Sequence, residues 1–302
     1  MKVRVLGSAA GGGFPQWNCR CPVCVLAWNG DPRVRPRTQS SIAVSADGAH
    51  WFLFNASPDL KQQIAANPPL HPRGQGRHSP IAGVVVTNAD VDHVGGLLSL
   101  RERQPLSLYG TERVLATLAD NAIFGVLDPQ VVERHTLVLE QTAPLCLPGG
   151  ASSGLSVETF AVPGKPALWL EGGTGSREDT VGLLVRDGAG ALLAYIPACA
   201  QVTEAVRERV RGAKLLLFDG TLWRDDEMIA SGVGSKTGAR MGHVSIGGPA
   251  GSLAGWAGIS IPRKLFIHIN NTNPVLIEGS EERQAVIEAG WDIAEDGQEF
   301  LL

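Results

Sequence analysis

The stretch Ile81-Ala82-Gly83-Val84-Val85-Val86-Thr87-Asn88-Ala89-Asp90-Val91-Asp92-His93-Val94-Gly95-Gly96 decides the fold. Its first seven residues form a continuous, mostly β-branched apolar run, bounded by Pro80 before and Asn88-Ala89-Asp90 after. Such a run fits a strand covered on both faces. Asp90, Asp92 and His93 then follow within four residues. A helix starting there can aim the adjacent Asp92 and His93 at one point, and carboxylate plus imidazole is a common ligand set for a divalent metal. An aspartate serving as helix cap beside a solvated histidine is the alternative.

Outward from this stretch, strands alternate with short helices. Lys2–Leu6, Ser41–Ser45, Trp51–Asn55, Leu106–Tyr109, Thr136–Leu139, Ser156–Ala161, Val181–Arg186, Ala191–Ile196, Lys214–Phe218 and Lys264–Ile269 read as strands. Thr111–Ala122, Val202–Val210 and Glu281–Ala289 read as helices, and Ser57-Pro58 reads as a helix start with Pro in its first turn. Residues 68–80 and 219–242 read as loops. No linker divides the chain, so one domain over residues 1–302 is expected, with two sheets and helices outside them.

The composition narrows the function. Of 302 residues, 26 are Lys or Arg and 30 are Asp or Glu, a net charge of −4 without clustering. Nucleic-acid binding, which wants a basic stripe, is not expected. The apolar run after Lys2 and Arg4 ends at Leu6, too short for a secretory leader. No run approaches the roughly 20 apolar residues of a membrane span. The expected location is the cytoplasm.

Further residue groups carry chemistry. Cys19, Cys21 and Cys24 form C-x-C-x-x-C, and three thiols at that spacing can wrap one zinc, with a fourth ligand from elsewhere. Unlinked cysteines in a surface loop are the alternative. Cys146 and Cys199 read as ordinary buried thiols. His268 stands at the exit of the strand Lys264–Ile269, before Asn270-Asn271-Thr272-Asn273-Pro274, and His243 follows a flexible loop. Each is open to a site role or a plain structural one. Gly11-Gly12-Gly13 lacks the residues of a phosphate loop.

Asn88-x-Asp90-x-Asp92-His93 resembles the His-x-His-x-Asp-His signature of the metallo-β-lactamase superfamily. Leu6-Gly7-Ser8, the stretch Phe54 to Leu60, His243 and His268 fall in that superfamily's order. Within it, the stretches Gly7 to Cys19, Phe218 to Trp223 and His268 to Pro274 resemble the B family of coenzyme PQQ (pyrroloquinoline quinone) biosynthesis, and the likeness runs over essentially the whole chain. The resemblance implies a protein of the α/β (α+β) class, with the αβ/βα four-layer sandwich of two mixed β-sheets flanked by helices. It implies metal ligands Asp92, His93 and His268, with Asp90 and His243 orienting substrate or moving protons.

Departures from the superfamily pattern matter as much. Asn88 and Asp90 replace its first two histidines, no histidine stands in 162–165, and no aspartate stands in 197–199. Too few ligands remain for two metals. One carboxylate and two imidazoles form the open ligand set of non-haem Fe(II) oxygenases. The implied function is hydroxylation of the tyrosine ring of a PQQ precursor by Fe(II) and O2, on a small molecule or short tyrosine-derived peptide. Zinc or another divalent ion is an alternative occupant. A carrier that helps move PQQ or its precursor out of the cytoplasm, and a hydrolase that trims the precursor, are the alternative functions. Related phosphodiesterases complete a zinc site like that of the three cysteines with a histidine three residues after the last metal histidine. That position here is Asn271, a poorer ligand. Pairing of two copies into a homodimer is left open.

Overall fold

The computed structural model describes residues 1–170 and 174–302. Its strands are β1 (Lys2–Gly7), β2 (Ser41–Ser45), β3 (Trp51–Phe54), β4 (Ile81–Val85), β5 (Leu106–Gly110), β6 (Val132–Thr136), β7 (Thr142–Cys146), β8 (Ser152–Ala161), β9 (Val181–Asp187), β10 (Leu192–Ile196), β11 (Leu215–Asp219), β12 (Arg263–Ile267), β13 (Asp292–Ile293) and β14 (Glu299–Leu301). Its helices are α1 (Pro22–Trp28), α2 (Leu60–Ala66), α3 (Val91–Val94), α4 (Glu112–Ala119), α5 (Glu204–Arg209), α6 (Glu227–Ala230), α7 (Gly238–Met241), α8 (Ser252–Gly255) and α9 (Glu281–Glu288). Among the described residues no helix is long and apolar enough to cross a membrane.

The strands make two seven-stranded mixed sheets, in the orders β14-β1-β2-β3-β4-β5-β6 and β13-β12-β11-β10-β9-β8-β7. In each sheet an antiparallel half meets a parallel half, with β3 to β6 parallel in one and β10 to β13 parallel in the other. Strand periodicity explains the layering, because alternate side chains leave opposite faces. Phe52 and Phe54 of β3 and Val85 of β4 meet Leu193 and Tyr195 of β10 and Leu215 and Leu217 of β11 between the sheets. The alternate residues Trp51, Leu53 and Val84 face α2 and α4, through Leu60, Val114 and Leu118. Leu216, Phe218 and Phe266 face the other helices, through Val206, Trp256 and Val286. The result is helix, sheet, sheet, helix, and each fully buried Leu or Phe contributes roughly 1.5–3 kcal/mol to holding it.

Several local expectations need correction. The helix after Ser57-Pro58 begins at Leu60, because the Ser57 hydroxyl donates to Gln63 Oε1, 3.1 Å away, instead of capping the helix. The strand expected at 136–139 lies at Val132–Thr136, where it pairs in register with β5. The sequence reading missed α1 under its cysteines, β7 with Pro144 inside it, and the very short β13 and β14. Residues 219–242, read as loop, include α6 and α7. Cys146 is half-buried; Cys199 is fully buried.

Candidate metal centres

The site gathers where β4, β10, β11 and β12 end, the edge at which open α/β sheets commonly bind ligands. After β4 the chain turns into α3. Asp90 O accepts hydrogen bonds from the amides of His93 (2.9 Å) and Val94 (3.1 Å). The turn is clamped to the neighbouring loop, with Ala56 N donating to His93 O at 2.7 Å and Gly96 N donating to Ala56 O at 2.8 Å. Only glycine fits at 96, because a Cβ there would stand 2.1 Å from Ser57 O. After β12 the chain turns sharply at His268, whose φ is +61°, a value uncommon outside glycine.

The structure brings Asp92, His93 and His268 together, with one donor atom of each within 4.8 Å of the others. Asp92 Oδ2 stands 2.9 Å from His268 Nε2 and 3.9 Å from His93 Nε2. The two rings are edge to face, 5.2 Å between centroids. Each imidazole is steered by a threonine. Thr87 Oγ1 lies 3.4 Å from His93 Nδ1, and Thr221 Oγ1 lies 2.9 Å from His268 Nδ1. Thr221 donates its own proton to Asp219 Oδ1, 2.6 Å away, so it accepts from His268 Nδ1–H and turns Nε2 toward Asp92, where Nε2–H donates to Oδ2, a proton that a bound cation would displace. Both Nε2 atoms thus face Asp92, the orientation that outer partners impose on metal-bound histidines. Burial pushes the Asp92 carboxyl up, but the charge of His93 and the hydrogen bond with His268 outweigh it and hold the group well below its usual range. Burial lowers His93 to about 4, against the pull of Asp92. His268 is raised, its contact with Asp92 overriding burial.

These residues fit a divalent cation. His93 Nε2 is buried and has no hydrogen-bond partner among the described residues. A buried nitrogen lone pair without a donor is costly unless a cation takes it. One carboxylate and two imidazoles leave coordination positions open to a cavity of about 450 Å³.

Sequence reading missed Asp219. It is fully buried at the end of β11, and with His243 and His268 it forms a second triple of potential donors. Its oxygens are already engaged: Oδ2 accepts from His243 Nδ1 at 2.7 Å and Cys199 N at 2.8 Å, and Oδ1 accepts from Thr221 N at 3.0 Å and Thr221 Oγ1. Four donors make it an orienting group for His243 and Thr221 rather than a free ligand. Burial raises its carboxyl, and His243 more than reverses that. The stretch 197–199 does lack an aspartate, but the Cys199 amide meets a carboxylate from the adjacent parallel strand. That strand pairing is the missing signal, and it is not local in sequence. Asp90 lines the cavity with Oδ2 3.6 Å from Lys165 Nζ. His243 lines it too, its ring stacked on that of His268 at 5.2 Å between centroids.

Cys19, Cys21 and Cys24 form a second, buried cluster, their sulfurs all within 4.8 Å of one another. Cys21 precedes α1, and its Sγ accepts from Cys24 N at 3.5 Å. The Asn271 side chain closes the cluster, with Nδ2 at 3.1, 3.7 and 3.3 Å from the three sulfurs. The hydrogen bond from Cys21 drives the Cys24 thiol down, so one sulfur of the pair gives up its proton readily. Three sulfurs converging at one point suit a soft divalent cation.

A four-layer sandwich of two mixed sheets with donors gathered at one edge is the metallo-β-lactamase fold, and a profile described as "Beta-lactamase superfamily domain" matches residues 50–269. The chain belongs to the family of coenzyme PQQ synthesis protein B. It is 57% identical to that protein from Methylorubrum extorquens (strain PA1) over 302 residues, covering 98% of each chain. It is 53% identical to the one from Rhodopseudomonas palustris over 309 residues, covering all of both. The crystal structure of Zn(2+)-bound PqqB from Methylobacterium extorquens superposes with a TM-score of 0.95 at 56% identity over the full length of both chains. A diphosphatase of the PhnP family shares the fold alone, at 22% identity and a TM-score of 0.67, covering 99% of this chain and 96% of that one.

Proposed function

We propose that this protein acts in pyrroloquinoline quinone biosynthesis as a mononuclear, metal-dependent hydroxylase of the tyrosine-derived ring of a precursor. Convergence of Asp92, His93 and His268 on an open cavity, with His93 Nε2 lacking a hydrogen-bond partner among the described residues, carries this reading. The family relatives support the pathway, and the zinc-bound relative supports a divalent metal. Two imidazoles and one carboxylate favour Fe(II) at this site, and when bound it would supply the activation of O2.

The protein's own residues do the rest. Thr87 and Thr221 hold both imidazoles with Nε2 toward Asp92, where a metal would be held. Asp219 holds His243 Nδ1–H, which leaves His243 Nε2 as the atom that takes the phenol proton of the ring. Asn88, Asn270 and Gln16 offer hydrogen bonds along the wall, and Met228 and Met241 give it an apolar side for an aromatic ring. At the cysteine cluster, a structural zinc held by Cys19, Cys21 and Cys24, with Asn271 at the fourth side, would fix the loop that carries Gln16.

The test is anaerobic loading with Fe(II), then O2 and a reductant such as ascorbate, whose two electrons take the second oxygen atom to water, with tyrosine or a short tyrosine-containing peptide as substrate. The expected product has gained oxygen atoms by mass spectrometry. Iron-loaded protein that never modifies such a substrate, yet binds finished pyrroloquinoline quinone tightly, would overturn the hydroxylase in favour of a carrier.

A further inference from the structure

The cavity has a second chemical end. Lys165 and Lys236 line it together with Asp90 and Asp92. Asp92 is turned to the two histidines and Asp90 to Lys165. Once a divalent cation sits with Asp92, the lining carries net positive charge.

Lys165 is built into place. Its backbone oxygen accepts from Thr180 Oγ1 at 3.0 Å. Its stem lies against Gly242, where a Cβ would stand 3.1 Å from Lys165 Cγ, and Gly242 has a φ of +86°, which suits glycine. Its ammonium donates to Pro166 O at 3.2 Å and lies 3.6 Å from Asp90 Oδ2. The side chain is three-quarters buried at 24% exposure. A lysine held this way has already lost much of the rotamer freedom that an exposed one would give up on binding an anion. Lys165 stands in the stretch where the superfamily pattern expects a metal-binding histidine, and its ammonium faces the Asp90 carboxylate instead. A fixed ammonium thus puts positive charge in that part of the cavity.

We propose that Lys165, assisted by Lys236, is the carboxylate-recognition point of this cavity, so that its substrate is an aromatic amino-acid derivative with a free carboxylate, a peptide C-terminus or an acidic side chain. The inference rests on the proposed function for the aromatic part and on the two lysines for the acid. An ammonium–carboxylate contact away from bulk water is among the stronger polar interactions available to a small ligand. An arginine should serve in place of Lys165 only partly, because the wider guanidinium must fit against Gly242.

Calorimetric titration of zinc-loaded protein with L-tyrosine and with L-tyrosinamide, which lacks the carboxylate, tests it. Wild type should bind tyrosine about tenfold or more tightly than the amide. Lys165→Met should lose that preference while binding the amide as wild type does, and Lys165→Arg should recover part of it. Zinc content and melting temperature of each variant report folding. If Lys165→Met does not fold, Lys236→Met carries the test, with a smaller loss confined to tyrosine. Equal binding of the two ligands by wild type, no binding of either, or an equal loss of both in Lys165→Met would overturn the assignment. Carboxylate preference through Lys165 without any hydroxylation by iron-loaded protein would leave this assignment standing and sink the hydroxylase. Hydroxylation of tyrosinamide as fast as tyrosine would do the reverse.

Discussion

Replacing Glu227 by glutamine should change how stability depends on pH, in a direction fixed by the structure. Glu227 is the first residue of α6 and is buried. Its Oε2 accepts from Trp223 N at 2.6 Å, and its Oε1 accepts from Thr272 Oγ1 at 2.6 Å. Burial outweighs these bonds and raises its carboxyl from 4.5 to about 7. Between those two values the folded protein keeps a proton that the unfolded chain has released, so stability falls as pH rises, by about 1.4 kcal/mol per unit. Below that window both states are protonated and no penalty applies; above it the loss levels off at roughly 3 kcal/mol. Glutamine does not titrate. It can keep its carbonyl on Trp223 N–H, while its amide donates to Thr272 Oγ1 in place of the bond that Thr272 donates to Oε1. Urea unfolding of zinc-loaded wild type and Glu227→Gln from pH 4 to pH 8.5 should give nearly equal stabilities at the acid end. The variant should gain steadily to roughly 3 kcal/mol above neutrality. Parallel curves, or a variant that loses ground as pH rises, would refute the buried-acid argument.

His268→Ala should abolish product formation while the protein stays folded and retains about one zinc per chain by elemental analysis, since three thiolates can hold a metal without it. Cys21→Ser should instead lose that zinc and lower the melting temperature, because a structural metal contributes directly to folding stability. Asp219→Asn should leave metal content intact yet cut turnover by about 10²-fold, the scale of a misdirected acid–base group, and Asp219→Glu should restore little because the four donors fix the carboxylate's position. Gly96→Ala should cost more than about 2 kcal/mol in denaturant unfolding, since its methyl would be forced against the Ser57 carbonyl.

Where burial and periodicity are local, the sequence was readable. The run at 81–87 has apolar residues for both faces and is covered on both, and the alternation in Trp51–Phe54 splits cleanly between the inter-sheet layer and the outer helices. Asp92 and His93 were conspicuous because a strand ends just before them. Asp219 was not, because its importance comes from parallel pairing of β11 with β10, which lays the Cys199 amide beside its carboxylate. In the sequence Lys165 marks only a missing histidine; its meaning lies in Gly242 and Asp90, far from it along the chain. The short edge strands β13 and β14 are too brief for any periodicity, and they exist because β12 and β1 offer open edges to pair with.

The turn at His268 has a consequence for how the protein matures. Four consecutive residues run from the open cluster to the sulfur cluster, His268 serving one and Asn271 the other. A strap this short cannot shift at one end and stay put at the other. Filling the sulfur site seats Asn271 and so sets the posture of His268 before any cation reaches the cavity. Metal uptake by the stripped protein is therefore expected to follow an order, with the thiolate charge-transfer band of a cobalt(II) probe rising before the weaker bands of the imidazole site. A chelator that removes the deeper ion should release the shallower one with it.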